Sequence, residues 1–187
     1  MERCPWCGSD HLYIEYHDKE WGTPVHDERK HFEFLLLETQ QAGLSWLTIL
    51  KKREAYREVF YNFEPERVAR LSEADVEHML GNPGIVRNRR KLAAAVVNAQ
   101  HFLEIQEKYG SFDAWIWNFV DGQPINHGRI SLADVPVTTE LSDTISAELK
   151  RMGFAFVGST TIYAHLQAIG MVNDHLISCF RWKELSC

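Results

Sequence analysis

Two side chains that can bind a metal ion lie four positions apart near the C-terminus, at His175 and Cys179. On a helix, which the surrounding pattern predicts here, this spacing places both side chains on one face. An imidazole and a thiolate are good zinc ligands, but a closed tetrahedral site needs two further donors. The rest of such a site must come from another part of the chain.

The N-terminal segment offers candidate donors at Cys4, Cys7, His11 and His17. Cys4 with Cys7 forms the commoner Cys-x-x-Cys pair, and Cys4 with His17 is equally compatible with the geometry. Either site would join the chain ends and, with four protein ligands, would be structural. The alternative is a set of separate thiols and surface histidines, but the clustering of donors favours zinc.

Four aromatic residues crowd the N-terminal segment: Trp6, Tyr13, Tyr16 and Trp21. Such rings usually fill a hydrophobic core, and the functional alternative is a stacking surface for a planar, cationic base. The pattern alone leaves both interpretations open.

Glu38 follows the apolar run 34–37 and is therefore expected to be at least partly buried. A buried carboxylate needs a partner or changes its pKa. Glu38 is then either an ion-paired structural residue or a hydrogen-bond acceptor inside a ligand pocket.

The elements that must position these residues are helices joined by short turns. Capping residues, glycines and apolar periodicity predict helices over 28–41, 46–60, 73–80, 89–108, 112–119, 140–152 and 160–169, and a last helix capped by Asn173 or Asp174. Residues 121–137 are predicted to form a long loop, and no alternating strand pattern is present. The predicted fold class is all-α, with residues 1–187 in a single unit.

The chain of 187 residues has a net charge of −6, which argues against a general coat of positive charge for nucleic acid but allows a local patch. Basic patches occur at 51–53 and 87–91, and charge alone favours solvated helix faces for both. No segment is apolar enough to span a bilayer, and the N-terminus lacks the apolar core of a signal peptide. These features predict a cytoplasmic protein whose cysteines are reduced thiols or metal ligands and not disulfides.

Several sequence blocks follow one another in a specific order. They are Arg3-Cys4, 13–21 (YIEYHDKEW), 38–46 (ETQQAGLSW), 84–87 (GIVR), 154–161 (FAFVGSTT) and 172–175 (VNDH). Together they resemble the DNA-3-methyladenine glycosylase I family, over nearly the whole chain. The resemblance implies a helix-hairpin-helix glycosylase fold, acting as a monomer that could comprise two helical lobes around a base pocket.

The resemblance also implies a zinc clip that joins the chain ends. The family's ligands correspond to Cys4, His17, His175 and Cys179, so the resemblance selects His17 in place of Cys7. One structural zinc ion per chain is therefore expected.

A pocket for the excised base is implied as well. Its expected residues are Glu38, Tyr16 and Trp46, with Trp6, Tyr13 and Trp21 nearby. Methylation at N3 gives adenine a positive charge and weakens its glycosidic bond, so the enzyme must flip the nucleotide out, recognise the base and favour its departure. Glu38 is the candidate catalytic residue. None of these residues is a lysine, so a monofunctional enzyme that uses water is expected.

The expected contacts with double-stranded DNA lie on two turns. The resemblance implies a helix-hairpin-helix at 153–164 with its hairpin at 153–158, where a glycine-rich turn before a helix N-terminus would expose N–H groups to a phosphate. The turn 41–45 is expected to present Leu44 as a wedge, a core leucine being the alternative. The DNA-contacting residues would be Gly43, Leu44, Gly153, Phe156, Gly158, Ser159 and Thr160.

Residues 172–175 resemble the segment that carries a catalytic aspartate in the wider superfamily. The matching position is Asn173, so carboxylate catalysis from that position is not expected, although Asp174 is adjacent.

Two other functions stay open at this point. A zinc-stabilised module could bind alkylated DNA without cleaving it. A zinc hydrolase or deaminase would need an open zinc position. A deaminase would also need a His-x-Glu with a Pro-Cys-x-x-Cys pattern, and the arrangement around Cys4 and Cys7 does not match that pattern.

Overall fold

A computed structural model describes residues 1–186, and Cys187 lies outside the described part. The described chain is mostly helical, which confirms the all-α prediction. Its α-helices are α1 His11–Lys19, α2 Glu28–Gln41, α3 Trp46–Leu50, α4 Arg53–Val59, α5 Pro65–Val68, α6 Glu73–Met79, α7 Arg89–Tyr109, α8 Phe112–Trp117, α9 Glu140–Arg151, α10 Ser159–Ala168 and α11 Phe180–Leu185. None of them is long and apolar enough to cross a membrane.

Helix α2 forms the centre of the fold. Its residues 31–40 are all buried, and it packs against α3, α7, α8 and α10. A helix that is covered on every side buries its polar residues as well as its apolar ones. This position explains why Glu38 is withdrawn from bulk solvent.

Side-chain caps start the helices where the sequence predicts them. The hydroxyl of Ser45 accepts a hydrogen bond from the Thr48 N–H, and Ser72 forms a capping box with Asp75. Each cap satisfies a backbone N–H that the first helical turn leaves without a partner. The helix predicted over 46–60 is, however, interrupted at Lys51 and forms α3 and α4 instead.

The prediction of a helix capped by Asn173 or Asp174 was wrong. Residues Val172–Asn173 form strand β2, which pairs in parallel with β1, Ile125–Asn126, inside the predicted loop 121–137. The carboxylate of Asp174 bonds to side chains rather than to a helix N-terminus. The last helix therefore begins only at Phe180, after the two predicted metal ligands.

The two ends of the described chain lie side by side. The backbone N–H of Phe180 donates to the carbonyl oxygen of Glu2 at 3.0 Å. The segment before α1 and the segment after β2 consequently share one buried region.

Candidate functional site

Four side chains with donor atoms suited to a metal ion meet where the chain ends join: Cys4, His17, His175 and Cys179. Their ligand atoms all lie within 4.8 Å of one another, and all four residues are buried. The set is the one that the resemblance implied. The helical spacing argument for His175 and Cys179 was wrong, since a turn and not a helix brings them together.

Hydrogen bonds fix the orientation of both imidazoles. Nδ1 of His17 lies 2.7 Å from Oδ1 of Asp18, and Nε2 of His175 lies 3.0 Å from the carbonyl oxygen of Trp21. The other ring nitrogen of each histidine faces a thiol, with Nε2 of His17 3.5 Å from Sγ of Cys179. Histidine ligands of metal ions are commonly held in this way by carboxylate and carbonyl groups.

The donor chemistry of this cluster fits a bound cation. Burial raises the pKa of Cys4 to about 12, so a thiolate there requires a positive partner. Burial also lowers the pKa of His17 and lowers that of His175 to about 4, which keeps both rings neutral, the form that binds metals. Two sulfur and two nitrogen donors are typical of structural zinc.

Cys7 lies outside this donor set although it is buried. Its thiol donates to the carbonyl oxygen of Cys4 at 3.2 Å. The Cys-x-x-Cys pair, which is the commoner chemical choice, therefore does not supply the two N-terminal members of the cluster.

A cavity of about 370 Å³ lies beside the cluster. It is lined by Trp6, Tyr13, Tyr16, Trp21, Glu38, Gln41, Trp46, Leu132, Val135, Ala164, Gln167 and Asp174. The structure thus brings together all six residues that were expected to form the base pocket. Gln41, Gln167 and Asp174 were not among them.

Aromatic rings form one side of this cavity. The ring of Trp6 lies 5.1 Å from that of Tyr13 and 4.9 Å from that of Trp21. The rings of Tyr16 and Trp46 are 5.4 Å apart. Because α1 carries Tyr13 and Tyr16 while α3 starts with Trp46, two helices and the N-terminal segment build the aromatic surface.

Glu38 is the one acidic group in the cavity wall without a hydrogen-bond partner among residues 1–186. Its exposed fraction is 3%, and burial raises its pKa to about 8. The indole N–H of Trp46 is likewise buried without a partner in the described chain. A buried carboxyl and a buried N–H that lack protein partners are groups that a polar ligand can satisfy.

Asp174 lines the same cavity as Glu38, but its pKa is shifted in the opposite direction. Burial alone would raise its pKa, but hydrogen bonds from Tyr163, Gln167, Arg129 and His127 lower it. The Gln167 amide donates at 2.9 Å and the Arg129 Nε–H at 3.0 Å. Asp174 is therefore an anion at neutral pH.

Asn173 does not line the cavity. Its side-chain amide donates to Oδ1 of Asn126 at 2.9 Å and so reinforces the pairing of β1 with β2. The resemblance to the superfamily matched Asn173 to the catalytic position and named Asp174 only as its neighbour, whereas it is Asp174 that lines the cavity. Neighbouring side chains along a strand point in opposite directions, so a recognised strand would have indicated that Asn173 and Asp174 face different surroundings. A strand of two residues is too short to show such an alternating pattern in the sequence.

The turn 41–45 is exposed at its tip. Leu44 has an exposed fraction of 38%, so it is not the core leucine of the alternative interpretation. Gln41 closes the turn from both sides, because its carbonyl accepts from the Leu44 N–H and its amide donates to the Leu44 carbonyl, each at 2.7 Å. Gly43 has φ +82°, a conformation that favours glycine.

Residues 152–158 connect α9 to α10 and lie against α7. A Cβ on Gly153, whose φ is +97°, would come within 2.4 Å of Nε2 of His101, so this contact requires glycine. Asn98 of α7 donates to the Ala155 carbonyl at 3.0 Å and accepts from the Ala155 N–H at 2.8 Å. The connection is thereby anchored to α7.

The interpretation of both basic patches as solvated helix faces was wrong for one residue in each. Arg53 is half-buried and forms ion pairs with Glu20 and Glu33. Lys91 is buried, and its Nζ donates to the carbonyl oxygens of Gln40 and Ala42 at 2.7 and 2.6 Å. Lys91 thus satisfies carbonyls at the C-terminal end of α2.

Known proteins match this chain over nearly its full length. A family model described as methyladenine glycosylase covers residues 6–182. A DNA-3-methyladenine glycosylase of Haemophilus influenzae is 48% identical, with 95% of this chain and 96% of the relative aligned. A crystal structure of a 3-methyladenine DNA glycosylase I is 50% identical, covers 96% of this chain and 98% of its own, and has a TM-score of 0.93.

A further solved structure concerns the recognition of 3-methyladenine. It is the 3-methyladenine DNA glycosylase I of Staphylococcus aureus, which is 42% identical, covers 96% of each chain and has a TM-score of 0.93. The shared sequence, the shared fold and the continuous match of the family model lead to one conclusion. This chain belongs to the methyladenine glycosylase family.

Proposed function

We propose that this chain is a monofunctional DNA glycosylase that hydrolyses the N-glycosidic bond of 3-methyladenine in alkylated DNA. The observation that carries the proposal is a cavity whose aromatic wall faces an unpartnered, buried carboxyl group, Glu38. The Staphylococcus aureus relative, whose recognition of 3-methyladenine is described, agrees with this substrate. Double-stranded DNA is the partner on which a monomer would act.

Recognition of the base would use stacking and one charged hydrogen bond. Tyr16 and Trp46 offer π-faces to a flipped base, and a methylated, positively charged purine gains from an electron-rich ring. Glu38 would accept a hydrogen bond from the exocyclic amine. Because burial raises the pKa of Glu38 to about 8, the empty pocket holds it protonated, and the cationic base would stabilise its ionised form.

The reaction would use water as the nucleophile. A water oxygen adds to the sugar carbon while the bond from that carbon to the base nitrogen breaks. The electron pair of that bond stays with the base and neutralises its positive charge, and the attacking water gives up one proton to the surrounding solvent. The Asp174 anion in the cavity favours the positive charge that develops on the sugar. No lysine lines the cavity within residues 1–186, so no amine is placed to attack the sugar.

We infer that Cys4, His17, His175 and Cys179 hold one zinc ion as a clip between the chain ends. With four protein ligands the ion would have no open position for substrate or water, and its role would be structural. The burial of all four donors, and the carboxylate and carbonyl oxygens that orient the two imidazoles, support this assignment.

The two turns described above would face the duplex. Gly158 precedes α10 and provides no side-chain cap, which leaves first-turn N–H groups of α10 for a phosphate. The α9–α10 connection would then be the hairpin of a helix-hairpin-helix, with contacts from Gly153, Phe156, Gly158, Ser159 and Thr160. Leu44 beside Gly43 would fill the gap left by the flipped nucleotide.

Release of the base is the decisive experiment. The protein is incubated with methylated duplex DNA, and released bases are identified by chromatography. Release of 3-methyladenine with wild-type protein, and its loss in Glu38→Ala that remains folded, is the expected result. A protein that binds the methylated duplex but releases no base would instead be a damage-binding module.

A further inference from the structure

Two exposed arginines, one just before α7 and one in its first turn, have no carboxylate partner within residues 1–186. These are Arg87 and Arg90, and they are unpaired although the chain as a whole has a net charge of −6. The intervening Arg89 is paired with Glu77. Two free cations beside each other on an acidic protein form a local positive patch that a separate anion can occupy.

The patch lies between the two turns proposed to face DNA. On one side, Lys91 binds the Ala42 carbonyl and so fixes the start of α7 against the turn that carries Leu44. On the other side, the Arg90 guanidinium lies 6.0 Å from the ring centre of Phe156. Phe156 belongs to the α9–α10 connection and has φ +59°, a strained conformation that an L-residue rarely adopts.

These contacts make one continuous surface. The Asn98–Ala155 hydrogen bonds anchor the α9–α10 connection to α7 two turns beyond Arg90. The start of α7 therefore contacts both turns. A duplex that reaches from the Leu44 turn to the α9–α10 connection must pass close to the two free arginines.

We propose that Arg87 and Arg90 form an arginine ridge that binds phosphates of the DNA backbone between the two turns. This inference rests on the proposed function and adds sequence-independent contacts that neither turn supplies. An arginine without an internal ion pair has no carboxylate to give up on binding, so it gains the full release of counterions from the DNA. The ridge would position the duplex and would not touch the base in the cavity.

Salt dependence of DNA binding tests the ridge. Arg87→Gln, Arg90→Gln and the double variant are titrated with a short duplex that contains a stable abasic-site analogue, over a range of salt concentrations. Each substitution is expected to reduce the slope of log K against log salt by about 0.9. Binding of free 3-methyladenine should stay unchanged, because the cavity lies elsewhere.

Two further variants separate charge from packing. Lys108→Gln removes one exposed charge from the opposite end of α7, roughly 27 Å away at 1.5 Å per residue, and should keep the wild-type slope. Arg90→Lys keeps the charge but changes the contact with Phe156, and should also keep the slope. Wild-type slopes in both glutamine variants would overturn the ridge alone, whereas a wild-type protein that binds no duplex would overturn the proposed function with it.

Discussion

The ring of Trp21 lies 4.5 Å from the ring of His175, with an angle of 79° between their planes. Trp21 also lines the cavity, so one side chain belongs to the wall that separates the cavity from the Cys/His cluster. Gly22 permits the close approach, because a Cβ there would come within 2.9 Å of the His175 ring. The cluster can therefore support the shape of the cavity without contributing a ligand to it.

Metal content should depend on the four clustered residues and on no other cysteine. We expect one zinc ion per chain in wild type and its loss in Cys179→Ser and His17→Ala, because three donors leave a site incomplete. Elemental analysis measures this directly. The apo variants should unfold at lower denaturant concentration, since metal binding contributes to the free energy of folding.

Cys7→Ser is the matched control, because Cys7 is buried next to the cluster but binds a carbonyl oxygen. It should keep the metal, and so should Cys187→Ser, whose position lies outside the described residues. Loss of zinc in Cys7→Ser with retention in His17→Ala would contradict the ligand set.

Much of the helical framework could be predicted from local signals. Ser72 with Asp75, and Ser45 before Trp46, mark helix starts because their side chains satisfy N–H groups that every helix leaves free. The central burial of α2 likewise follows from its apolar run. These features depend on residues close in sequence.

The rest depends on contacts between distant residues. The segment of Asp174 has a capping residue but forms no helix there, because β1, about 47 positions earlier, pairs with it and His127 binds its carboxylate. Arg53 was predicted to lie on a solvated helix face, but Glu20 and Glu33, which are distant from it in sequence, form ion pairs with it. Local pattern carries no information on such partners.

The buried carboxyl of Glu38 should make the ligand-free protein less stable at higher pH. Its pKa is 4.5 ordinarily and about 8 in the folded protein, so between these values the folded state holds a proton that the unfolded state has lost. The contribution of this carboxyl to the free energy of unfolding is fully present below the ordinary pKa. It falls by about 1.4 kcal/mol per pH unit as the pH rises from the ordinary pKa towards the pKa of the folded protein. Glu38→Gln lacks this loss.

Denaturant unfolding of wild type and Glu38→Gln at several pH values from about pH 5 to pH 8 measures the effect. The advantage of the variant should grow with pH, and comparing the two proteins cancels the other titrating groups. Parallel stability curves would show that the carboxyl has an ordinary pKa in the folded state.

Leu44→Ala should weaken binding to a duplex with an abasic-site analogue while leaving stability nearly unchanged. The side chain is 38% exposed, so its removal costs little packing in the free protein, but an inserted wedge would lose its contacts with the bases. Val137→Ala, at an exposed apolar residue outside both turns, serves as the control. Equal duplex affinity for Leu44→Ala and wild type would remove the wedge from the proposal.

Binding of free 3-methyladenine should depend on Glu38 more than on any other polar group of the cavity. A hydrogen bond that involves a charged partner is worth about 1.5–3 kcal/mol, so Glu38→Ala should weaken binding roughly ten- to a hundredfold or more. Glu38→Gln should be intermediate, because its amide oxygen still accepts but the charge is lost. Trp46→Ala should weaken binding similarly through lost stacking.

Titration of free base against each folded variant, with circular dichroism to verify folding, measures these affinities. The comparison of Glu38→Gln with Glu38→Ala is the informative one, because both remove the ionisable carboxyl and only the first keeps an acceptor. If Glu38 accepts a hydrogen bond in the pocket, Glu38→Ala should bind the free base more weakly than Glu38→Gln, and Glu38→Gln should bind it more weakly than wild type. Near-normal affinity in Glu38→Ala would mean that the base binds elsewhere, and the raised pKa of Glu38 would then reflect burial in the core alone.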